Sequence, residues 1–175
     1  MDKREQLTIG PCCYKTKIGN LLRHGEGTHP IWSMGDLKLE LLLPFLCDCA
    51  NNGAEIHIDI LLPVITRSTQ NCIKALLQDD RVKSISILTR DSNTLPLDEW
   101  SHTEKLHVGQ HKYLSTQVVT LRAINTSSQD EYFVLTGSIP QEVNQADQLM
   151  LLSDNVWQYE KTQEYIDYLK QTYIR

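Results

Sequence analysis

His107, His111, Lys112, Gly137 and Ser138 fall within one stretch, LHVGQHKYLSTQVVTLRAINTSSQDEYFVLTGSIP, residues 106 to 140. A histidine can act as a nucleophile or as a general acid and base near neutral pH. A lysine can neutralise a phosphoryl oxygen, and a glycine–serine turn at a strand end can offer N–H groups and a hydroxyl to an anion. His107 and His111 flank Gly109, and strand alternation puts both on one face, as a ligand pair or as a base and its orienter. The same residues also fit an ordinary tight turn at Gly137–Ser138, solvated histidines on a half-exposed strand, and surface charges at Lys105 and Lys112.

Other chemistry-bearing groups are less well spaced. Cys12–Cys13 and Cys47-Asp-Cys49 total four thiols, but structural zinc sites separate paired ligands by two to four residues. Cys47 and Cys72 are therefore expected as small buried residues on helices, and no metal site is assigned. His24 and His29 sit in a Gly/Pro-rich connector without a carboxylate cluster. His102, Glu104 and His107 match no metal-ligand spacing. LTGSIP lacks the second glycine of a nucleophile elbow, and HGEGTH is not followed by the lysine and hydroxyl residue of a phosphate loop. No cofactor is implied.

The whole chain bounds these readings. With 175 residues, 41% of them hydrophobic, it can bury one substantial core. A net charge of -5 argues against holding nucleic acid by bulk electrostatics, so any anion site must be local. LELLLPFL is too short to span a bilayer, and MDKREQLTIG lacks a signal peptide's apolar segment, which together predict a cytoplasmic protein.

The elements that must position the candidate residues follow from periodicity. Ser33 or Asp36 can cap a helix carrying Leu37, Leu41, Leu42, Phe45 and Leu46, with Pro44 predicting a kink or a second short helix. IHIDILLPVI alternates as a strand with an apolar end, TRSTQNCIKALLQDD places Ile73, Leu76 and Leu77 on one helical face, and RVKSISILTR alternates again. Strand, helix and strand in this order predict a right-handed βαβ unit. A loop is expected over 91 to 101, then the strands KLHVGQHKYL, STQVVTLRAI and EYFVLTGSI, the last two forming a hairpin about the turn NTSSQDE. DQLMLLSD reads as a final strand. A terminal helix, capped by Ser153 or Asp154, is expected to turn Trp157, Tyr165, Ile166 and Leu169 inward. Its tyrosines, Tyr159, Tyr165, Tyr168 and Tyr173, read as packing and interface residues.

From Ile31 to the C-terminus the order of these elements, together with WSMGDL, HIDILLPVITRSTQNCIKALL, SISILTRD, the His/Lys stretch, Gly137–Ser138 and LMLLSD, resembles the phospholipase D-like superfamily and its small single-motif members. The resemblance implies an α/β domain over residues 31 to 175, a mixed sheet flanked by helices, preceded by an N-terminal segment over 1 to 30. It also implies a histidine nucleophile, here His111, with Lys112 and Ser138 on the phosphoryl oxygens and Gly137, Ser138 and His107 as phosphate-binding residues. Two half-sites must meet in such chemistry, so a single-motif chain would form a twofold homodimer. The motif is altered: Lys112 follows His111 directly where the family has one residue between them, Ile139-Pro140 follows Gly137–Ser138, and Asn144 lies beyond the expected asparagine position. The strand STQVVTLRA also lacks the family's acidic residue. The expectation is a degenerate domain that acts by binding a protein partner, its own twin or a phosphodiester such as nucleic acid. The alternative is an active metal-independent phosphodiesterase or nuclease, a homodimer with a His111-centred site. A plain α/β module with no phosphate history is the third reading.

Overall fold

Ile56, Ile58 and Ile60 are buried while the alternating His57 and Asp59 are only half-covered, so the strand that carries them has an apolar face and a polar one. A computed structural model describes residues 28–34, 38–49, 55–100, 103–124, 130–141 and 147–172. In chain order these form β1 (Thr28–Met34), α1 (Leu39–Cys49), β2 (Glu55–Leu61), α2 (Arg67–Leu77) and β3 (Val82–Thr89). A 3-10 turn (Ser92–Thr94), α3 (Leu97–Trp100), β4 (Leu106–Gln110), β5 (Val118–Ile124), β6 (Glu131–Gly137), β7 (Asp147–Ser153) and α4 (Val156–Thr172) complete the fold.

The strands make one seven-stranded sheet in the order β1-β7-β6-β5-β2-β3-β4. β2, β3 and β4 run parallel, and every other pairing is antiparallel. The expected βαβ unit is therefore present as β2-α2-β3, and the expected hairpin as β5–β6. The chain is an α/β domain with a mixed sheet and helices on both faces.

One face packs Ile58, Ile60, Ile85, Ile87, Leu121 and Leu135 against Leu39, Leu42, Leu43 and Leu46 of α1 and Ile73 and Leu76 of α2. Each such fully buried aliphatic side chain contributes about 2 kcal/mol. On the other face Leu61, Leu88, Val118 and Val134 meet Tyr159, Ile166 and Leu169 of α4.

Several local expectations are revised. Thr28–Met34 is a strand, so His29 and Ser33 lie within an extended segment, and the sheet begins inside the stretch assigned to the N-terminal segment. Pro44 sits inside one continuous helix, α1. The loop expected over 91 to 101 contains α3, whose Trp100 is buried. The α4 N-cap is Asn155, whose side-chain oxygen accepts the N–H groups of Trp157 and Gln158 at 2.9 and 3.2 Å. Ile166 and Leu169 face inward as expected, but Trp157 and Tyr165 are 61% and 39% exposed, because the sheet-facing stripe of α4 runs from Ile166 and Leu169 through Tyr159. Cys47 and Cys72 are buried as expected. Cys12, Cys13, His24, Asp36, His102, Asn144, Tyr173 and the Cys49 side chain lie outside the described residues.

Candidate functional site

Three parallel strands end together, and the β5–β6 hairpin opens at the same end, where Leu61 pairs with Val118 and Val118 with Thr136. The loops following β2, β3, β4 and β6 meet there, the position at which parallel α/β sheets commonly hold ligands.

These loops are tied into a belt by hydrogen bonds. Arg90 N and Thr89 Oγ1 both donate to Pro63 O at 3.1 Å, and His111 N donates to Thr89 O at 2.9 Å. The Arg90 guanidinium donates twice to Leu114 O, at 3.2 and 2.8 Å. Gln141 accepts Thr66 N at 3.0 Å and donates to Val64 O at 2.7 Å, while Leu39 N donates to Pro140 O at 2.7 Å. The Gly137–Ser138 turn is thereby fixed against both the β2–α2 loop and α1.

Gly137 has a φ of 98°, a left-handed conformation that a Cβ would disfavour. It lets the chain turn sharply out of β6, leaving Ser138 exposed and sending Ile139 and Pro140 back into cover. Gln117, just ahead of β5, completes the turn by accepting Ile139 N at 2.9 Å. Sequence reasoning passed over Gln117; its signal was its place at the mouth of the hairpin, directly across from Gly137–Ser138.

His111 and Lys112 stand elsewhere on this sheet end. β4 stops at Gln110, and His111–Gln117 is a loop that crosses β3 and β2 to reach β5. Strand alternation therefore does not extend from His107 to His111. β4, which His111 and Lys112 follow, and β6, which ends at Gly137, stand four strand positions apart in the sheet, about 19 Å at 4.8 Å per step. Lys112 is exposed, with its ammonium 5.1 Å from the centroid of Tyr113, itself 76% exposed. The His111 ring meets Tyr113 edge-on at 6.4 Å, and its Nδ1 is buried with no hydrogen-bond partner among the described residues.

His107 is exposed on the edge strand β4, opposite Ser86. Lys105 does more than decorate the surface: its ammonium donates to Leu77 O and Asp79 O at 3.2 and 3.1 Å, covering carbonyls at the C-terminus of α2. Among the described residues no three His, Cys, Asp or Glu side chains gather as a metal site.

The sheet end also carries uncovered charge. Arg67, Arg90, Lys112 and Val64 are each exposed, Val64 by 61%, in the segments that follow the strands at this end. Arg67 occupies the first turn of α2, which has no acidic residue, so a cation stands where the helix dipole favours an anion.

A second polar group lies under α4. Asp59, its side chain 15% exposed, accepts Thr120 Oγ1 at 3.2 Å, Gln163 Nε2 at 3.0 Å and Lys170 Nζ at 3.3 Å. Every partner is satisfied, so the group reads as a clamp that seats α4 on the sheet. On the neighbouring row His57 Nδ1 lies 2.7 Å from Ser84 Oγ. Burial pushes the Tyr159 hydroxyl up to about 12, with Asp59 adding to the effect.

No protein-family model matches the chain, and no curated protein matches it. Solved structures do match, among them the following two. NucT from Helicobacter pylori superposes with a TM-score of 0.51 at 12% identity over 85% of this chain and 99% of that one. TrmBL2, an archaeal chromatin protein whose structure shows a novel mode of DNA binding, superposes with a TM-score of 0.51 at 16% identity, over 92% of this chain and 60% of that one. At these identities the likeness is one of fold alone. Among the described residues no helix is long and apolar enough to cross a membrane.

Proposed function

We propose that the chain is a phospholipase D-like domain that acts by binding rather than by turnover. Its ligand is a phosphodiester, nucleic acid being the polymeric form, held at the carboxyl end of the parallel strands in a cytoplasmic setting. The observation that supports this reading is the four strand steps between β4, which His111 and Lys112 follow, and β6, which ends at Gly137. Phosphoryl transfer needs its nucleophile and its charge-stabilising donors within contact of one phosphorus. Binding an extended polyanion needs only cations and N–H donors spread along a path. Gly137, Ser138, Arg67, Arg90 and Lys112 supply such a path, and exposed His107 extends it along the β4 edge. The fold it shares with a structure described as showing DNA binding is consistent with that use.

A second reading is favoured by one atom. The buried Nδ1 of His111 has no hydrogen-bond partner among the described residues, which leaves room for one from another molecule. In that reading a second copy completes the site, and the homodimer is an active metal-independent phosphodiesterase with Lys112 and Ser138 in supporting roles.

The test measures hydrolysis of bis-p-nitrophenyl phosphate and of single- and double-stranded DNA without added metal, alongside fluorescence anisotropy with labelled DNA. Salt-dependent binding without hydrolysis, weakened by Arg67→Ala and Arg90→Ala, is the expected result. Metal-independent turnover that His111→Ala abolishes would replace the binding reading with the catalytic one.

A further inference from the structure

The outward face of α4 is unlike a solvated helix surface. Trp157, Lys161, Glu164 and Tyr168 recur at spacings of four, three and four residues, which places them on one narrow stripe. All four are exposed, Trp157 and Tyr168 by 61% and 63%. The stripe lies opposite Tyr159, Gln163, Ile166 and Lys170, which hold the helix to the sheet, so none of it is needed to seat α4.

The stripe is also symmetric. An aromatic stands at each end, and between them a cation and an anion sit at equal distances from the midpoint. Lys161 Nζ reaches both carboxylate oxygens of Glu164 at 3.2 Å within the helix, which holds the two charges in place. Laid antiparallel against its own copy across a twofold axis, α4 brings Trp157 to Tyr168 of the second copy and Lys161 to Glu164 of the second copy. Each contact then occurs twice, as an isologous interface requires. A parallel arrangement would oppose like charges instead.

We propose that α4 is a self-association surface through which two copies of this chain pair antiparallel about a twofold axis. Tryptophan and tyrosine are the residues that most often anchor interfaces, and the Lys161–Glu164 pairs set the register. A helix of 17 residues is about 26 Å long. Its stripe is narrower than the roughly 800 Å² per partner of a standard interface, so the dimer is expected to be weak and concentration-dependent. The inference rests on the outward stripe of α4 and not on the phosphodiester reading.

The test uses the full chain in sedimentation velocity over a concentration series, with charge reversals at the stripe. Wild type should pass from monomer to dimer within the micromolar to millimolar range. Lys161→Glu and Glu164→Lys should each weaken association at least about tenfold, because every copy then presents like charges to its twin. The double swap should restore it. Mixing the two single variants should also restore it, because one copy then offers only anions and the other only cations. Circular dichroism of the single variants checks that the helix persists. A wild-type chain that stays monomeric throughout, or a dimer indifferent to the reversals, overturns the proposal, as does a double swap or mixture that fails to recover.

Discussion

Gln117 accepts the backbone N–H of Ile139 at 2.9 Å, so the turn at Gly137–Ser138 is closed from the start of the adjoining strand. This amide does for the turn what a charged motif residue would do for a ligand: it fixes where the N–H groups and the Ser138 hydroxyl point.

Gly137→Ala forces a Cβ into a φ of 98° and is expected to cost about 1–2 kcal/mol. Gln117→Ala leaves the N–H of buried Ile139 without its acceptor and is expected to cost about 1 kcal/mol more than an exposed Gln→Ala change. Urea denaturation checks both: the midpoint should fall while the slope stays constant. An unchanged midpoint in the Gly137 variant would mean that the turn tolerates a different backbone.

Asp59 is the centre of the clamp beneath α4. Asp59→Ala removes the acceptor for Thr120, which is fully buried, and for Gln163 and Lys170. The expected loss is about 2–3 kcal/mol, discounted from a fully buried ion pair because Lys170 is partly solvated. Hydrogen exchange should locate the damage, with protection lost first in α4 and last in β2, β3 and β5.

The readability of the chain varies with the range of the forces involved. β2-α2-β3 could be read because Ile56, Ile58, Ile60, Ile85 and Ile87 state the strand period locally, and Thr66 caps α2 within its own segment. β1 was missed because THPIWSM holds a proline and no clear alternation, and its pairing with β7 is supplied by residues far along the chain. On α4, Ile166 and Leu169 face inward as expected, whereas Trp157 and Tyr165, expected inward as the larger apolar groups, do not. The helix is in fact oriented by Gln163 and Lys170 meeting Asp59, more than a hundred residues earlier. The candidate residues followed the same rule: the Gly137–Ser138 turn was legible as a turn, whereas its distance from His111 depended on β2 and β3 lying between β4 and β5.

Cys72 should be almost inert to alkylation in the folded chain. Burial, then the neighbouring Cys47 and Glu40, push its thiol from the ordinary 9.0 up to about 12. At pH 8 that lowers the thiolate fraction by about a thousandfold, and burial further blocks the reagent. Peptide mapping after brief iodoacetamide treatment should find Cys72 unmodified in native protein and modified in denaturant. Rapid native modification would mean that α2 opens readily from the sheet.

Arg81 joins three segments, and this makes acid stability a test of the fold's lower end. Its guanidinium donates to both oxygens of Asp79, to Asp48 at 3.0 Å and to Cys47 O at 3.3 Å, tying the α2–β3 turn to the end of α1. The hydrogen bonds from Arg81 hold the Asp79 carboxyl below its ordinary 3.8, outweighing the opposing effect of partial burial. A carboxyl whose folded value is depressed adds stability above its unfolded value, and that contribution is lost as pH falls through the folded one. In wild type the contribution should therefore be complete at neutral pH and disappear below about pH 4. Arg81→Ala should lower stability at pH 7 by about 1–2 kcal/mol, a modest figure because the group is partly exposed. The difference between variant and wild type should shrink as Asp79 is protonated. Denaturation midpoints measured from pH 7 down to pH 3 check this; a gap that stays constant across that range would show that Arg81 acts through Cys47 O and packing rather than through Asp79.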